Sequence, residues 1–343
     1  MRREGNKGMS KAADWKRGGC SGSAAVTAGR DIGSVPAKTM PGGDRIHAIS
    51  RILDAGQAER PTLGCYQLEK ELGKGAMGVV YLGRDPEMDR TVAIKTMALL
   101  RQFDEAELVD AKESFFREAQ TAARLEHPNI VRIFDAGEEG DLAYIAMEFL
   151  KGGDLVPYTR PDRLLPLGRV IGIVERVADA LSYAHDRHVV HRDIKPANIM
   201  YEPESGRVTV TDFGLAHIND AGRTRTGLML GTPSYMSPEQ LAGLPLDGRS
   251  DLFSLGVAFY QLVCGHLPFV GDSMTQLMFS IANEPHPDIR GVMPGVPECV
   301  ATIIDRALMK NVELRYRTGA EMACDLRKCL GRTAEAASGG FAI

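Results

Sequence analysis

Cysteine is sparse in this 343-residue chain, and its spacing excludes more than it suggests. The six cysteines, Cys20, Cys65, Cys264, Cys299, Cys324 and Cys329, lie far apart except for the last two, and no CxxC pair occurs. Neither a zinc site nor a disulfide framework is expected, and a reduced, cytoplasmic compartment is the simpler inference. A secretory leader is also lacking, since no apolar h-region stands near the start. Leu252 to Val270 carries no Asp, Glu, Lys or Arg, but Ser254, Gln261, His266 and Pro268 interrupt it. It reads as a buried core helix and not as a membrane span. No internal repeat is visible.

What is present fits a soluble globular protein, with 44% hydrophobic and 25% charged residues. The length suits two domains or one bilobal unit with a tail, and a composition shift near residue 60 favours the second. Residues 1–60 hold eleven Lys or Arg against six Asp or Glu, a net of +5 that leaves −9 for the remainder. That front segment is rich in Gly, Ala, Ser and Arg and shows little sustained apolar periodicity, so residues 1–62 read as a disordered basic segment. Its charges are scattered and lack an aromatic or amphipathic stripe, which favours a solvated linker over a lipid or nucleic-acid tether. Removing residues 1–60 is then expected to leave catalysis nearly unchanged.

Organised structure is expected from Tyr66. YQLEKELG, VVYLGRD and TVAIKTM read as three strands, a helical pattern runs from about Ala106 to Leu125, and Ile130–Phe134 and Leu142–Phe149 read as two further strands. Beyond Gly153 the pattern turns helical. Val170, Ile173, Val174, Val177, Leu181 and Ala184 recur at helical steps, and further helices are expected near 250–264, 273–283, 297–308 and 319–330. The short stretch Glu148–Gly153 joins the halves as a hinge with a cleft beside it.

Chemistry concentrates along that cleft. His191–Asn198 reads HRDIKPAN and is followed by Asp212-Phe213-Gly214. This places a carboxylate able to orient a hydroxyl, a lysine two residues on, and two magnesium ligands within about two dozen residues, the equipment for moving a phosphoryl group. Gly73-Lys74-Gly75-Ala76-Met77-Gly78-Val79-Val80 fits GxGxxGxV. A dinucleotide fingerprint would open a helix there, whereas VVYLG favours strand-turn-strand, so the glycines read as a flap that lets backbone amides approach phosphates. Lys95 follows in an apolar strand, where an unpaired ammonium is costly. Its expected partners are nucleotide phosphates and Glu118, in the helix that follows.

Together, GKGAMGVVYLG, VAIK, HRDIKPANIM, DFGLA and GTPSYMSPEQ resemble the eukaryotic-type protein kinases, and most nearly the bacterial Ser/Thr kinases. More narrowly, the chain is similar to the kinase portion of proteins that join such a domain to a CHASE2 sensor. The resemblance implies an α+β, bilobal protein-kinase fold over residues 63–330, with N-lobe 63–148, hinge 148–153 and C-lobe 154–330, and a flexible tail at 331–343. It further implies ATP-dependent phosphoryl transfer to Ser or Thr of protein substrates, with Mg²⁺ or Mn²⁺ as the metal.

Residue by residue, it implies Asp193 as the group that orients and deprotonates the hydroxyl, Lys195 as its neutralising neighbour, and Lys95 with Glu118 as the phosphate-aimed pair. Asn198 and Asp212 would hold metal. Leu72, Gly73, Lys74, Gly75, Ala76, Met77, Gly78, Val80, Ala93, Lys95, Met147, Glu148, Leu150 and Met200 would surround the nucleotide, with Met147 as gatekeeper. Thr224 and Thr226, the latter slightly ahead, would take activating phosphate opposite Arg192, through transient self-association. Thr232 would close the substrate groove. Glu239 with Arg315, and Asp251 beneath the catalytic loop, would be structural. Lys310-Asn311-Val312-Glu313, where relatives often have Lys-Asp-Pro, would loosen the turn before Arg315. The alternatives are a silent nucleotide-binding scaffold and a small-molecule phosphotransferase of similar fold. No nucleic-acid partner is expected, and both a stand-alone kinase and one piece of a longer protein remain open.

Overall fold

The computed structural model describes residues 42–54, 60–75, 78–98, 105–140, 142–213 and 233–338. Its first half is an antiparallel sheet of β1 (Thr62–Leu63), β2 (Tyr66–Gly75), β3 (Gly78–Asp85), β4 (Arg90–Ala98), β5 (Ile133–Glu139) and β6 (Leu142–Glu148), ordered β1-β2-β3-β4-β6-β5. β5 starts later than its sequence suggests. It is an edge strand with Asp135, Glu138 and Glu139 along it, so apolar alternation fades where pairing begins, and Ile130 instead makes an isolated parallel bridge to Val210.

Both faces of this sheet are covered, and strand parity shows by what. Val92, Ile94 and Ala98 of β4 and Leu142, Tyr144 and Ala146 of β6 face one cluster. The alternate residues Met97, Ala143 and Ile145 pack against Ala111, Phe115 and Ala119 of α2 (Glu105–Ala122) on the other. The first cluster is closed by α1 (Gly42–Asp54), through buried Ile46 and Ile49 with Leu53 beside them. Residues 42–54 are therefore a packed helix, which corrects the expectation that the whole of 1–62 is disordered. Three apolar residues at i, i+3 and i+7, set among Gly, Ala and charged residues, make too short a pattern to stand out. Burying each isoleucine contributes about 2 kcal/mol.

The second half is helical, with α3 (Leu167–His185), α4 (Pro238–Leu241), α5 (Gly248–Cys264), α6 (Met274–Asn283), α7 (Ile289–Val292), α8 (Glu298–Ala307) and α9 (Gly319–Ser338). The expected apolar face of α3 is buried, and α5 is buried along nearly its whole length. Among the described residues no helix is long and apolar enough to cross a membrane. A small sheet of β7 (Gly153–Asp154), β8 (Ile199–Glu202) and β9 (Arg207–Val210) lies at the lobe junction. Gly152 feeds it with φ 87°, and a Cβ there would stand 2.3 Å from the carbonyl of Tyr201, so only glycine serves.

Two expectations about the C-terminal part change. Cys299 and Cys329 form a disulfide with Cα atoms 5.7 Å apart, joining α8 to α9. A separation of 30 residues hides that proximity in the sequence. Also, α9 continues to Ser338, past the boundary drawn at residue 330 for a flexible tail.

The turn before Arg315 is held and not loosened. Asn311 accepts from the amide of Glu313 at 3.0 Å, and Lys310 donates to the carbonyls of Ile281 at 2.5 Å and Ser280 at 3.2 Å while lying 3.5 Å over the Phe269 ring. Arg315, with no side-chain exposure, forks onto Glu239 at 2.6 and 2.8 Å and spends its other donors on the carbonyls of Met309, Lys310 and Arg249. Burial pushes the Glu239 carboxyl up, but hydrogen bonds from Arg315 and Ser250 outweigh it and hold the group below its usual range.

Breaking one side of this pair leaves a buried charge, so Arg315→Ala is expected to lower the unfolding free energy by about 3 kcal/mol in urea titrations. Because the folded carboxyl titrates lower than the unfolded one, the pair's contribution is present above the usual carboxylate range and is lost as pH falls through the depressed value. Glu239→Gln should flatten that acid limb of stability; an unchanged limb would contradict the assignment.

Candidate active site

The catalytic loop is shaped by a buried carboxylate behind it. Asp251, in the first turn of α5, accepts from the amides of His191 at 2.8 Å and Arg192 at 2.7 Å and bonds His185 Nε2 at 2.8 Å. Burial pushes Asp251 up, yet the bond and charge of His185 and the backbone donors hold it below the ordinary carboxylate range. Arg192 adopts φ 69°, a left-handed conformation uncommon for a side chain of its size. Asp251 holds its amide, and Gln240 Nε2 holds its carbonyl at 2.8 Å. Gln240 is itself fixed by a reciprocal capping box with Ser237 at the start of α4.

His191 is fully buried, and its ring orders the next two segments. Nδ1 accepts from the amide of Asp193 at 3.2 Å, so Nε2 carries the proton and donates to the carbonyl of Thr211 at 2.8 Å. Phe213 packs edge-on against it with ring centroids 4.6 Å apart. Through these contacts the segments bearing Asp193 and Asp212 are registered to each other.

The polar groups then converge. Lys195 Nζ donates to both oxygens of Asp193 at 2.8 and 3.1 Å, and Asn198 Nδ2 donates to its carbonyl at 2.7 Å and its carboxylate at 3.0 Å. With its amide nitrogen so committed, Asn198 keeps its side-chain oxygen for another partner. Asp212, at φ 65°, pairs across the cleft with Lys95 at 2.7 Å. Burial pushes the Asp212 carboxyl up, but Lys95, with Lys195 adding to it, holds the group below its usual range.

This corrects the expected Lys95–Glu118 ion pair. Lys95 is paired with Asp212, while Glu118 Oε1 accepts from Ser114 at 3.4 Å. The sequence pointed Lys95 only to nucleotide phosphates and Glu118, and the partner it has here, Asp212, comes from across the cleft.

Above the pair, Ala93, Val131 and Met147 form a small apolar cluster with Val80, Ile133 and Leu150 against it. Glu148 spends its amide on the carbonyl of Arg132 and its carboxylate on Arg207, each at 2.8 Å, so its side chain is committed within the protein. Met200 is half-buried, and Leu72 and Lys74 are exposed. At Gly73 an added Cβ would meet nothing, and at Gly75 only a carbonyl 4.0 Å away, so both glycines border open space. Gly78 differs, since a Cβ there would sit 1.7 Å from the carbonyl of Thr96. Ala76, Met77, Thr224, Thr226 and Thr232 lie outside the described residues.

No group of three or more His, Cys, Asp or Glu among the described residues could hold a metal by itself. The donor set instead fits magnesium, which keeps waters and takes one or two protein oxygens together with substrate phosphates. Asn198 and Asp212 supply that kind of set. Sequence reasoning passed over His185, Thr211 and Gln240; Gln240 stood inside GTPSYMSPEQ, but nothing in one sequence says which carbonyl it reaches.

Comparison with known proteins gives the family and the fold. The protein kinase domain family matches residues 66–325. Serine/threonine-protein kinase PrkC of Bacillus subtilis is 38% identical over 265 residues, covering 77% of this chain and 40% of that protein. Serine/threonine-protein kinase pkn3 of Myxococcus xanthus is 41% identical over 257 residues, covering 72% of this chain and 46% of its own. The chain thus spans less than half the length of these curated relatives, whose names mention no CHASE2 sensor. The crystal structure of the Mycobacterium tuberculosis PknI kinase domain superposes with a TM-score of 0.64 at 31% identity, covering 79% of this chain and 99% of that one. The sheet-built lobe and helical lobe are the protein-kinase fold, and the chain belongs to the protein kinase family, similar to its bacterial serine/threonine members.

Proposed function

We propose that this chain transfers the γ-phosphoryl group of ATP to Ser or Thr hydroxyls of proteins. One observation carries the reading: Asp193, Lys195 and Asn198 are bonded into a single unit on one loop, facing a Lys95–Asp212 pair that spans the cleft. Asp193 would accept the hydroxyl proton and Lys195 would balance charge on the group in transfer. Met147, Ala93, Val80 and Leu150 would receive the adenine, and the Gly73–Gly78 turn would cover the phosphates. Asn198 and Asp212 would hold magnesium, which would supply positive charge against the negative charge of the phosphates. Lys95 would exchange Asp212 for phosphate and Glu118 as the cleft fills. The protein's share is positioning and electrostatics, with no covalent step on a side chain.

Arg192 supports a further part of this reading. Its Nε is buried and has no hydrogen-bond partner among the described residues, a donor suited to an anion. Phosphate on Thr226 or Thr224, delivered by a second copy in a transient encounter, would provide it and order the intervening loop.

Incubation with magnesium and ATP, followed by intact mass and phosphosite mapping beside an Asp193→Asn control, tests this directly. Phosphate at Thr224 or Thr226 in the unaltered chain alone is expected; modification of both proteins, or of neither, would overturn it. The grip of Gln240 on Arg192 gives a second expectation. Gln240→Ala should lower kcat about tenfold with little change in KM for ATP, because the loop and not the nucleotide pocket loses a support. An unchanged kcat would show that Asp251 suffices alone.

A further inference from the structure

The helix ahead of the kinase domain family match sits on the nucleotide flap's own strands. Ile46 and Ile49 enter the apolar cluster of Leu68, Val79, Tyr81, Val92 and Ile94, on the sheet face opposite α2. One turn on, Ser50 Oγ donates to Glu71 Oε2 at 2.8 Å and lies 3.2 Å from the Tyr81 hydroxyl, while the Tyr81 hydroxyl reaches the carbonyl of Ile46 at 3.4 Å. Glu71 and Tyr81 are register partners across β2 and β3, and the pairing slips by a bulge between Glu71 and Gly73. Ser50 therefore pins the rung that borders this bulge, ahead of the Gly73–Val80, Lys74–Val79 and Gly75–Gly78 rungs that lead into the glycine turn.

We propose that α1 is a positioning element for the glycine flap, acting through Ser50, Glu71 and Tyr81 to set how closely the turn can lie over nucleotide phosphates. The proposal rests on the ATP-dependent reading of the cleft and adds a determinant outside the residues that the family match covers. The sheet itself calls for such a cover. β6 reads Leu-Ala-Tyr-Ile-Ala-Met with all six residues buried, a pattern of strands packed on both faces. Without α1 the outer cluster would face water, and the two strands that bear the turn would lose their only described tie to a helix on that face. A cover joined at the flap's root acts on how the nucleotide is held, and leaves the catalytic loop, anchored on α5, untouched.

The test uses the full chain with Ser50→Ala, Glu71→Gln, the double variant, Ser50→Thr, and Arg51→Ala as an exposed control on the same helix. Steady-state kinetics should show KM for ATP rising about threefold to tenfold in Ser50→Ala with kcat nearly unchanged, recovery in Ser50→Thr, no further rise in the double variant over Glu71→Gln, and no effect of Arg51→Ala. Amide hydrogen exchange read in the absence of nucleotide should show faster exchange in β2 and β3 flanking the turn in Ser50→Ala. Unchanged KM together with unchanged exchange, or equal loss of kcat and stability in all variants, would overturn the proposal. If the unaltered chain transfers no phosphate, the kinase reading fails by itself, and the exchange experiment still decides whether α1 sets the flap.

Discussion

Asp251 is the group on which the working half of the molecule depends. It is almost fully buried at the start of α5, a helix that is itself core along nearly its whole length. A carboxylate so placed is tolerable only if its oxygens are filled, and two backbone amides of the catalytic loop with His185 fill them. The same requirement therefore neutralises the cost of burial and fixes the loop. Two neighbours extend the anchor: Ser250 donates to Glu239 at 2.6 Å, and the carbonyl of Arg249 accepts from Arg315. One helix end thus ties together the catalytic loop, the Ser-Pro-Glu-Gln segment and the turn before α9.

The other side of the cleft is built on a different principle. The six-stranded sheet takes its shape from apolar cover on both faces, α2 on one and α1 on the other. Lys95 shares strand parity with Ala93 and Met97, which directs it to the cleft side, where Asp212 meets it. The two halves of the site are joined at that ion pair, so a ligand that competes for Lys95 or for Asp212 also acts on the contact between the lobes.

Legibility in the sequence followed the range over which each feature acts. The catalytic loop was readable because its chemistry is local: Asp193, Lys195 and Asn198 stand within six residues, and the latter two each donate to Asp193. The helices of the second half were readable because α3 keeps one long apolar face. Partner choice was not readable, since Asp212 lies 117 residues beyond Lys95 and reaches it only across the folded cleft. The Cys299–Cys329 bridge depends on how α8 and α9 pack, which spacing does not encode. α1 escaped because Ile46, Ile49 and Leu53 are few and flanked by Gly and charge, yet its need was written elsewhere, in the unbroken apolar run of β6.

The central claim is that this cleft is one phosphoryl-transfer site assembled from both lobes. A crystal structure of the chain with magnesium and a non-hydrolysable ATP analogue examines it most directly. The account predicts metal bound by the Asn198 side-chain oxygen and Asp212, phosphates under the Gly73–Gly78 turn, and Lys95 moved from Asp212 onto phosphate. Nucleotide bound elsewhere, or bound with metal absent from Asn198 and Asp212, would contradict it.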